Sequence, residues 1–197
     1  MLQAATAFSE QGAHNEIIRL GIKAQKSGAN GVFVWCFTDP AVDILREVID
    51  VPVVGAFAPA VLTANAIAQR YAIVTALLSV IPIYIKLSRE LGVSSNIVSI
   101  REIGMPVLEM DDKALLLKNL VEQSIEAIKE GAQAIVLGCT GMLGVAKELQ
   151  RKLAELKKPA PVVDPTEAAL VMLQGLIRQK ITQSRLAYCP AGTKCHV

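Results

Sequence analysis

Two cysteines occupy equivalent places in a duplicated pattern, and a matched pair of thiols can do chemistry that a single thiol cannot. Gly28-Ala29-Asn30-Gly31-Val32-Phe33-Val34-Trp35-Cys36 is repeated in type as Gly131-Ala132-Gln133-Ala134-Ile135-Val136-Leu137-Gly138-Cys139. Each cysteine therefore ends an apolar run opened by Gly-Ala. After a helix-like stretch, the first copy continues as Val51-Pro52-Val53-Val54-Gly55 and the second as Ala160-Pro161-Val162-Val163-Asp164. A thiolate on one face of an acidic carbon and a thiol on the other can remove one proton and deliver another, and by exchanging roles they work in either direction. The predicted chemistry is stereoinversion at a carbon acid, with Cys36 and Cys139 as the acid/base pair and neither cofactor nor metal. The oxygen that becomes negative as the proton leaves needs positioned donors. Candidates are the backbone N–H groups after each cysteine and the hydroxyls of Thr38, Thr140 and Thr75, with Gly138 and Gly141 letting the backbone come close to a ligand.

A lone cysteine at a strand end is ordinarily a small buried hydrophobe, so the catalytic reading rests on the match between the two copies. Asp39 reads as a helix-capping carboxylate and His14 as a surface residue. Cys189 and Cys195, beside His196, match no zinc or haem spacing and read as exposed tail thiols. A thiol redox protein is a competing class, and it would require a disulfide between Cys36 and Cys139. Neither lies in a Cys-x-x-Cys arrangement.

The elements that must carry these residues alternate as short β-branched runs and longer helix-period segments, the pattern of βα units around a parallel sheet. Strands are predicted at 32–35, 52–55, 71–75, 97–100, 134–138 and 161–163. Helices are predicted at 16–26, 40–49, 59–70, 81–91, 113–130, 143–156 and 166–180. The cysteines then fall at the carboxyl ends of strands, where ligands collect in open α/β sheets, with helix N-termini expected next to them. The fold class predicted is α/β, as two pseudosymmetric doubly wound parallel-sheet lobes with an interlobe cleft. The first lobe is assigned to 1–68 plus 165–197 and the second to 69–164. A lobe of this kind normally begins with a strand, yet Met1 to Gly12 shows no β-branched run, so the first lobe is expected to lack its N-terminal strand.

Composition narrows the function class. Of the 197 residues 52% are hydrophobic, 19% charged and 4% aromatic, which suits a buried α/β core. The net charge of +2, from 20 basic and 18 acidic residues without a long run, gives no basic stripe for nucleic acid. The longest apolar stretch, Ala72 to Ile85, is shorter than the roughly 20 residues of a membrane span, is broken by Pro82, and reads as a strand running into a helix. Met1 to Glu16 has no basic start followed by an apolar core, which predicts a cytoplasmic chain with reduced thiols. The expected partners are a small-molecule substrate and further copies of the chain, with no nucleic acid and no membrane.

At the cysteines the sequence resembles the aspartate/glutamate/hydantoin racemase superfamily, over about Ser27 to Leu176. Cys36-Phe37-Thr38-Asp39-Pro40 is similar to the Cys-Phe-Gly-Asp-Pro of its hydantoin and allantoin racemase branch, and Gly138-Cys139-Thr140-Gly141-Met142 to that branch's second motif. The resemblance implies that Cys36 and Cys139 are the acid/base residues, with Phe37, Thr38, Thr75, Gly138, Thr140 and Gly141 near the substrate. The glutamate racemase branch carries an Asn after its first cysteine and a His shortly after its second. Neither is present here, which favours a 5-substituted hydantoin or related cyclic ureide over a free amino acid. Thr38 stands where Gly is usual, and Ala76 where a second threonine often follows Thr75. An amino-acid racemase and a catalytically silent small-molecule-binding relative are the alternatives.

Overall fold

The computed structural model describes residues 7–106 and 109–190. It divides into two compact units, Met1–Ala56 with Ala169–Val197, and Phe57–Ala168. The elements in chain order are α1 (Ala7–Lys26), β1 (Val32–Phe33), α2 (Val42–Val48), β2 (Val53–Val54), α3 (Phe57–Ile67), β3 (Tyr71–Thr75), α4 (Ile81–Glu90), β4 (Ile97–Glu102), α5 (Lys113–Lys129), β5 (Ala134–Leu137), α6 (Ala146–Glu155), β6 (Val162–Val163) and α7 (Pro165–Gln179). The sequence reading assigns α3 to the first lobe. It groups instead with the second unit, because it packs on β5 and β6.

In the second unit four parallel strands run in the order β4-β3-β5-β6. Every residue of β3 and β5 is buried, as expected of strands covered on both faces, and both are therefore continuous apolar runs rather than alternating ones. Ala72, Val74, Ile135 and Leu137 share one core with Leu116 and Leu120 of α5 and Leu149 and Leu153 of α6. Each such leucine contributes about 1.5–3 kcal/mol by leaving water. The first unit has a parallel β1-β2 pair. On one side Val34 and Val53 pack with Leu45 of α2 and Ile17 of α1, and on the other Phe33 and Val54 pack with Ala169 and Leu173 of α7. No helix among the described residues is long and apolar enough to cross a membrane.

The sequence duplication is also a structural duplication. Val32 and Phe33 lie opposite Val53 and Val54, while the equivalent Ile135 and Val136 lie opposite Val162 and Val163. The N–H groups of Val32 and Ile135 each donate to the carbonyl of the proline that opens the partner strand, Pro52 or Pro161, at 2.9 Å. Before each first strand, Gly28 (φ 87°) and Gly131 (φ 102°) adopt the left-handed conformation. The residue after each glycine bonds back to a helix carbonyl, Ala29 to Ala24 and Ala132 to Ala127. That is the glycine C-cap, which turns the chain out of a helix and into a strand.

Several boundaries differ from the expected ones. The helix expected from Glu16 begins by Ala7. The helix expected from Pro40 starts at Val42, because Asp39 (φ 49°) and Ala41 (φ 58°) are left-handed and a helix cannot propagate through that conformation. The helix expected from Leu143 starts at Ala146 for the same reason, Gly144 having φ 73°. The apolar stretch before Pro82 does run from β3 through a short 3₁₀ turn into α4.

The tail after α7 is tied to α2. The Arg185 guanidinium donates to the carbonyls of Arg46 at 2.7 Å and Ile49 at 2.5 Å, and pairs with Asp50 at 2.6 Å. A cation there satisfies the orphan carbonyls of the helix end and complements its dipole. Cys189, expected as an exposed thiol, is held in this segment and is half-buried and disulfide-bonded. Cys195 and His196 lie outside the described residues.

Tyr71, at the start of β3, is fully buried, and its hydroxyl has no hydrogen-bond partner among the described residues. Burial pushes its phenol up to about 12. A folded-state value above the unfolded one of about 10 gives a contribution that is complete below pH ~10 and is lost as pH rises through about 12. Tyr71→Phe is expected to raise the unfolding free energy by about 1 kcal/mol and to reduce the alkaline loss of stability in that window. Urea denaturation across pH checks both, and a destabilised variant would show that the hydroxyl is satisfied.

Candidate active site

The first cysteine lies just beyond β1, in a tight turn. The Asp39 N–H donates to the Cys36 carbonyl at 3.1 Å, closing the turn 36–39. Cys36 is half-buried, and its Sγ is 3.2 Å from the Thr38 hydroxyl. Phe37, between them, is 2% exposed, while Trp35 on the other side is 48% exposed. Asp39 is not the expected cap of α2. The N-cap position is Ala41, with no side-chain hydrogen bond, and the Asp39 carboxylate instead accepts from the Ala56 N–H at 2.6 Å, just past β2.

The second cysteine lies just beyond β5 in the same kind of turn. The Met142 N–H donates to the Cys139 carbonyl at 3.2 Å, the equivalent closure at 139–142. The Gly141 N–H points at the Cys139 Sγ at 3.4 Å, so each sulfur has a polar group two residues on, a hydroxyl in one copy and an amide in the other. An N–H directed at sulfur is a donor that a thiolate can use. Thr140 is 9% exposed and Cys139 is half-buried. Neither Cys36 nor Cys139 is in a disulfide.

Gly138, immediately before Cys139, is fixed from behind. Its carbonyl accepts from the Tyr84 hydroxyl at 2.7 Å and from the Thr75 hydroxyl at 3.1 Å. Thr75, expected beside the substrate, is fully buried, and its hydroxyl is engaged with Gly138 and Tyr84. Sequence reasoning missed Tyr84. It sits on α4, which follows β3, and belongs to no motif; the one signal is that it is the only aromatic residue of a helix of otherwise aliphatic and polar residues. Its ring also packs near Phe57, with centroids 6.1 Å apart.

The cysteines were expected to abut helix N-termini. They do not, since the first helical residues after them are Val42 and Ala146. The amide beside the Cys139 sulfur therefore belongs to its turn and is not part of a helix dipole.

The chain as a whole is similar to known proteins. A model of the Asp/Glu/Hydantoin racemase family matches residues 3–173. The chain belongs to this family. It is 32% identical to the hydantoin racemase of Paenarthrobacter aurescens over 174 residues, 87% of this chain and 72% of that one. It is also 32% identical to the hydantoin racemase of Rhizobium meliloti over 157 residues, which are 79% of this chain and 63% of the relative, so the chain spans less than two thirds of that relative's length. Among solved structures, the allantoin racemase of Klebsiella pneumoniae superposes with a TM-score of 0.88 at 29% identity, covering 99% of this chain and 79% of that one. A member of the Asp/Glu/Hydantoin racemase family with this fold carries the expected α/β architecture of parallel sheets and helices.

Proposed function

We propose that this member of the family is a cofactor-independent racemase that inverts C5 of a 5-substituted hydantoin or a related cyclic ureide such as allantoin. The observation that supports the reading best is the equivalence of the two thiols. Each follows a parallel strand of the same register, in a turn closed onto the cysteine carbonyl, with a polar group beside the sulfur two residues later. The hydantoin and allantoin racemases among its relatives point to the substrate class.

In this reading one cysteine, as thiolate, takes the C5 proton, and the electron pair moves onto the adjacent ring carbonyl to give an enolate. Turn amides after the cysteines, with Thr38 and Thr140, stabilise that oxygen, and the other cysteine, as thiol, protonates C5 from the opposite face. Turnover leaves the two sulfurs with exchanged protonation states, and proton exchange with water restores either. The geometry this demands is one sulfur on each face of C5, at a reacting distance of roughly 3.5 Å.

The test is exchange at C5. Incubated in deuterated water with an L- or D-5-substituted hydantoin, and without pyridoxal phosphate or added metal, the protein should deplete the C5 proton signal by NMR while optical rotation decays. The exchange should exceed the buffer rate by about a hundredfold or more. Exchange of aspartate or glutamate but not of hydantoins would move the chain to an amino-acid racemase, and exchange of neither would make it a silent relative.

A further inference from the structure

Among the differences between the two copies, one pair of positions changes in a complementary way. Aligned on the cysteines, Asp39 corresponds to Met142; aligned on the Pro-strands, Gly55 corresponds to Asp164. The first copy therefore carries Asp in the turn and Gly after the strand, and the second carries Met in the turn and Asp after the strand. In the second copy the Asp164 Oδ1 accepts from the N–H groups of Thr166 at 2.8 Å and Glu167 at 3.2 Å. In the first, the Asp39 carboxyl lies in the space where a side chain at position 55 would project, so that a Cβ built on Gly55 overlaps it. Its Oδ1 is bonded to the Ala56 N–H.

We propose that Asp39 is a positioning residue for Cys36: its carboxylate ties the Cys36 turn to the amide that follows β2, whereas the Asp164 carboxylate bonds amides of the segment that follows it. The Cys36 turn needs such an anchor. It runs straight into two left-handed residues, Asp39 and Ala41, a conformation costly for a residue with a Cβ. The bond from Ala56 fixes one end of that strained segment to the strand-end backbone beside β1, and thereby fixes the turn that carries the sulfur. Gly55 is glycine because the carboxyl occupies the space beside it; its φ lies outside the left-handed region, so its backbone would itself accept a side chain.

Asp39→Gly suits the left-handed φ but removes the anchor, and Gly55→Asp alone collides with Asp39. The double variant Asp39→Gly/Gly55→Asp removes the collision but moves the carboxylate out of the turn, and should leave the Cys36 turn unanchored. Asp39→Asn keeps an acceptor oxygen for Ala56 and should behave nearly as the unaltered protein. The activity arm of the test rests on the racemase reading; the labelling arm does not.

The experiment measures iodoacetamide alkylation of Cys36 and Cys139 by mass spectrometry in the full chain, alongside C5 deuterium exchange of a 5-substituted hydantoin. Cys139 is the internal control, because general unfolding raises labelling at both sulfurs. With Asp39→Ala, labelling of Cys36 relative to Cys139 should rise about threefold or more as the turn opens locally. Exchange should fall about 10- to 100-fold, the scale of a misplaced acid/base group. If Asp39→Ala unfolds, Asp39→Asn and the double variant carry the test. The proposal is overturned if a folded Asp39→Ala labels and exchanges like the unaltered protein, if Asp39→Asn fails as badly as Asp39→Ala, or if the double variant labels Cys36 as the unaltered protein does. An unaltered protein that exchanges no substrate would defeat the racemase reading, while the labelling ratios would still decide the role of Asp39.

Discussion

Cys36→Ser is expected to lower racemisation of a 5-substituted hydantoin by about a thousandfold or more, within the range attributed to a positioned acid/base group, while leaving slow C5 exchange from one enantiomer. The asymmetry follows from the two-thiol mechanism. Each cysteine serves one enantiomer as base and the other as acid, and a serine hydroxyl, far less acidic than a thiol, cannot take the place of a thiolate base near neutral pH. Cys36→Ser therefore blocks proton removal from one enantiomer, whereas Cys139 still removes the proton of the other and returns a deuteron from solvent to the same face. Cys139→Ser should show the opposite preference, and Cys189→Ser, in the tail segment tied to α2, should keep the unaltered rate. The measurement is exchange from each pure enantiomer by NMR beside polarimetry of the same samples. Equal residual exchange from both enantiomers in either variant would remove the paired-thiol mechanism, as would full racemisation by Cys36→Ser.

Gly138→Ala should cost both stability and activity, because the added methyl has no space and lies one residue before the second cysteine. Its Cβ would stand 2.8 Å from Ile73 Cγ2, 3.0 Å from Thr75 Cβ and 3.1 Å from the Val74 carbonyl oxygen. The first could turn away, but the last is backbone of a central strand and can yield only by displacing the strand. Overpacking of this kind costs about 1–3 kcal/mol. The relief available is for β5 to shift away from β3, which lengthens the bonds from Thr75 and Tyr84 to the Gly138 carbonyl and moves Cys139 with them. A loss of about 2 kcal/mol in chemical denaturation, with a roughly hundredfold drop in C5 exchange by the folded fraction, is the expected pair of results. A variant as stable as the unaltered protein and fully active would mean that the Gly138 carbonyl does not set the position of Cys139.

Much of the architecture was legible because it is written in local patterns. The Gly-Ala before each first strand, the apolar run and the Pro-opened second strand are short-range signals, and the two copies confirmed each other. The result is two parallel pairs with the same register. Strand ends therefore placed Cys36 and Cys139 on equivalent turns without any knowledge of packing. Boundaries next to the cysteines were less legible. Asp39 and Ala41 take left-handed conformations that residue type alone does not demand, and the helices start later than their periodicity implied.

What tertiary structure alone decided is which groups hold those turns. Asp39 looked like a helix cap because an Asp before Pro at a helix start usually is one; its carboxylate goes instead to Ala56, which becomes a neighbour only when β1 and β2 pair. Thr75 is expected near the substrate from the resemblance; that its hydroxyl meets the Gly138 carbonyl follows from β3 and β5 lying side by side. Tyr84 belongs to no local motif because it reaches the same carbonyl from a helix 54 positions away. The Arg185 contacts to the end of α2 span 139 positions. Periodicity and turn chemistry are properties of neighbouring residues and survive in the sequence as patterns. Hydrogen bonds between distant segments exist only once burial has brought those segments together, since an unpaired polar group in a packed interior costs about 1–3 kcal/mol. The sequence by itself thus determined the duplicated strand–cysteine framework, and the folded packing decided which side chains fix each sulfur in place.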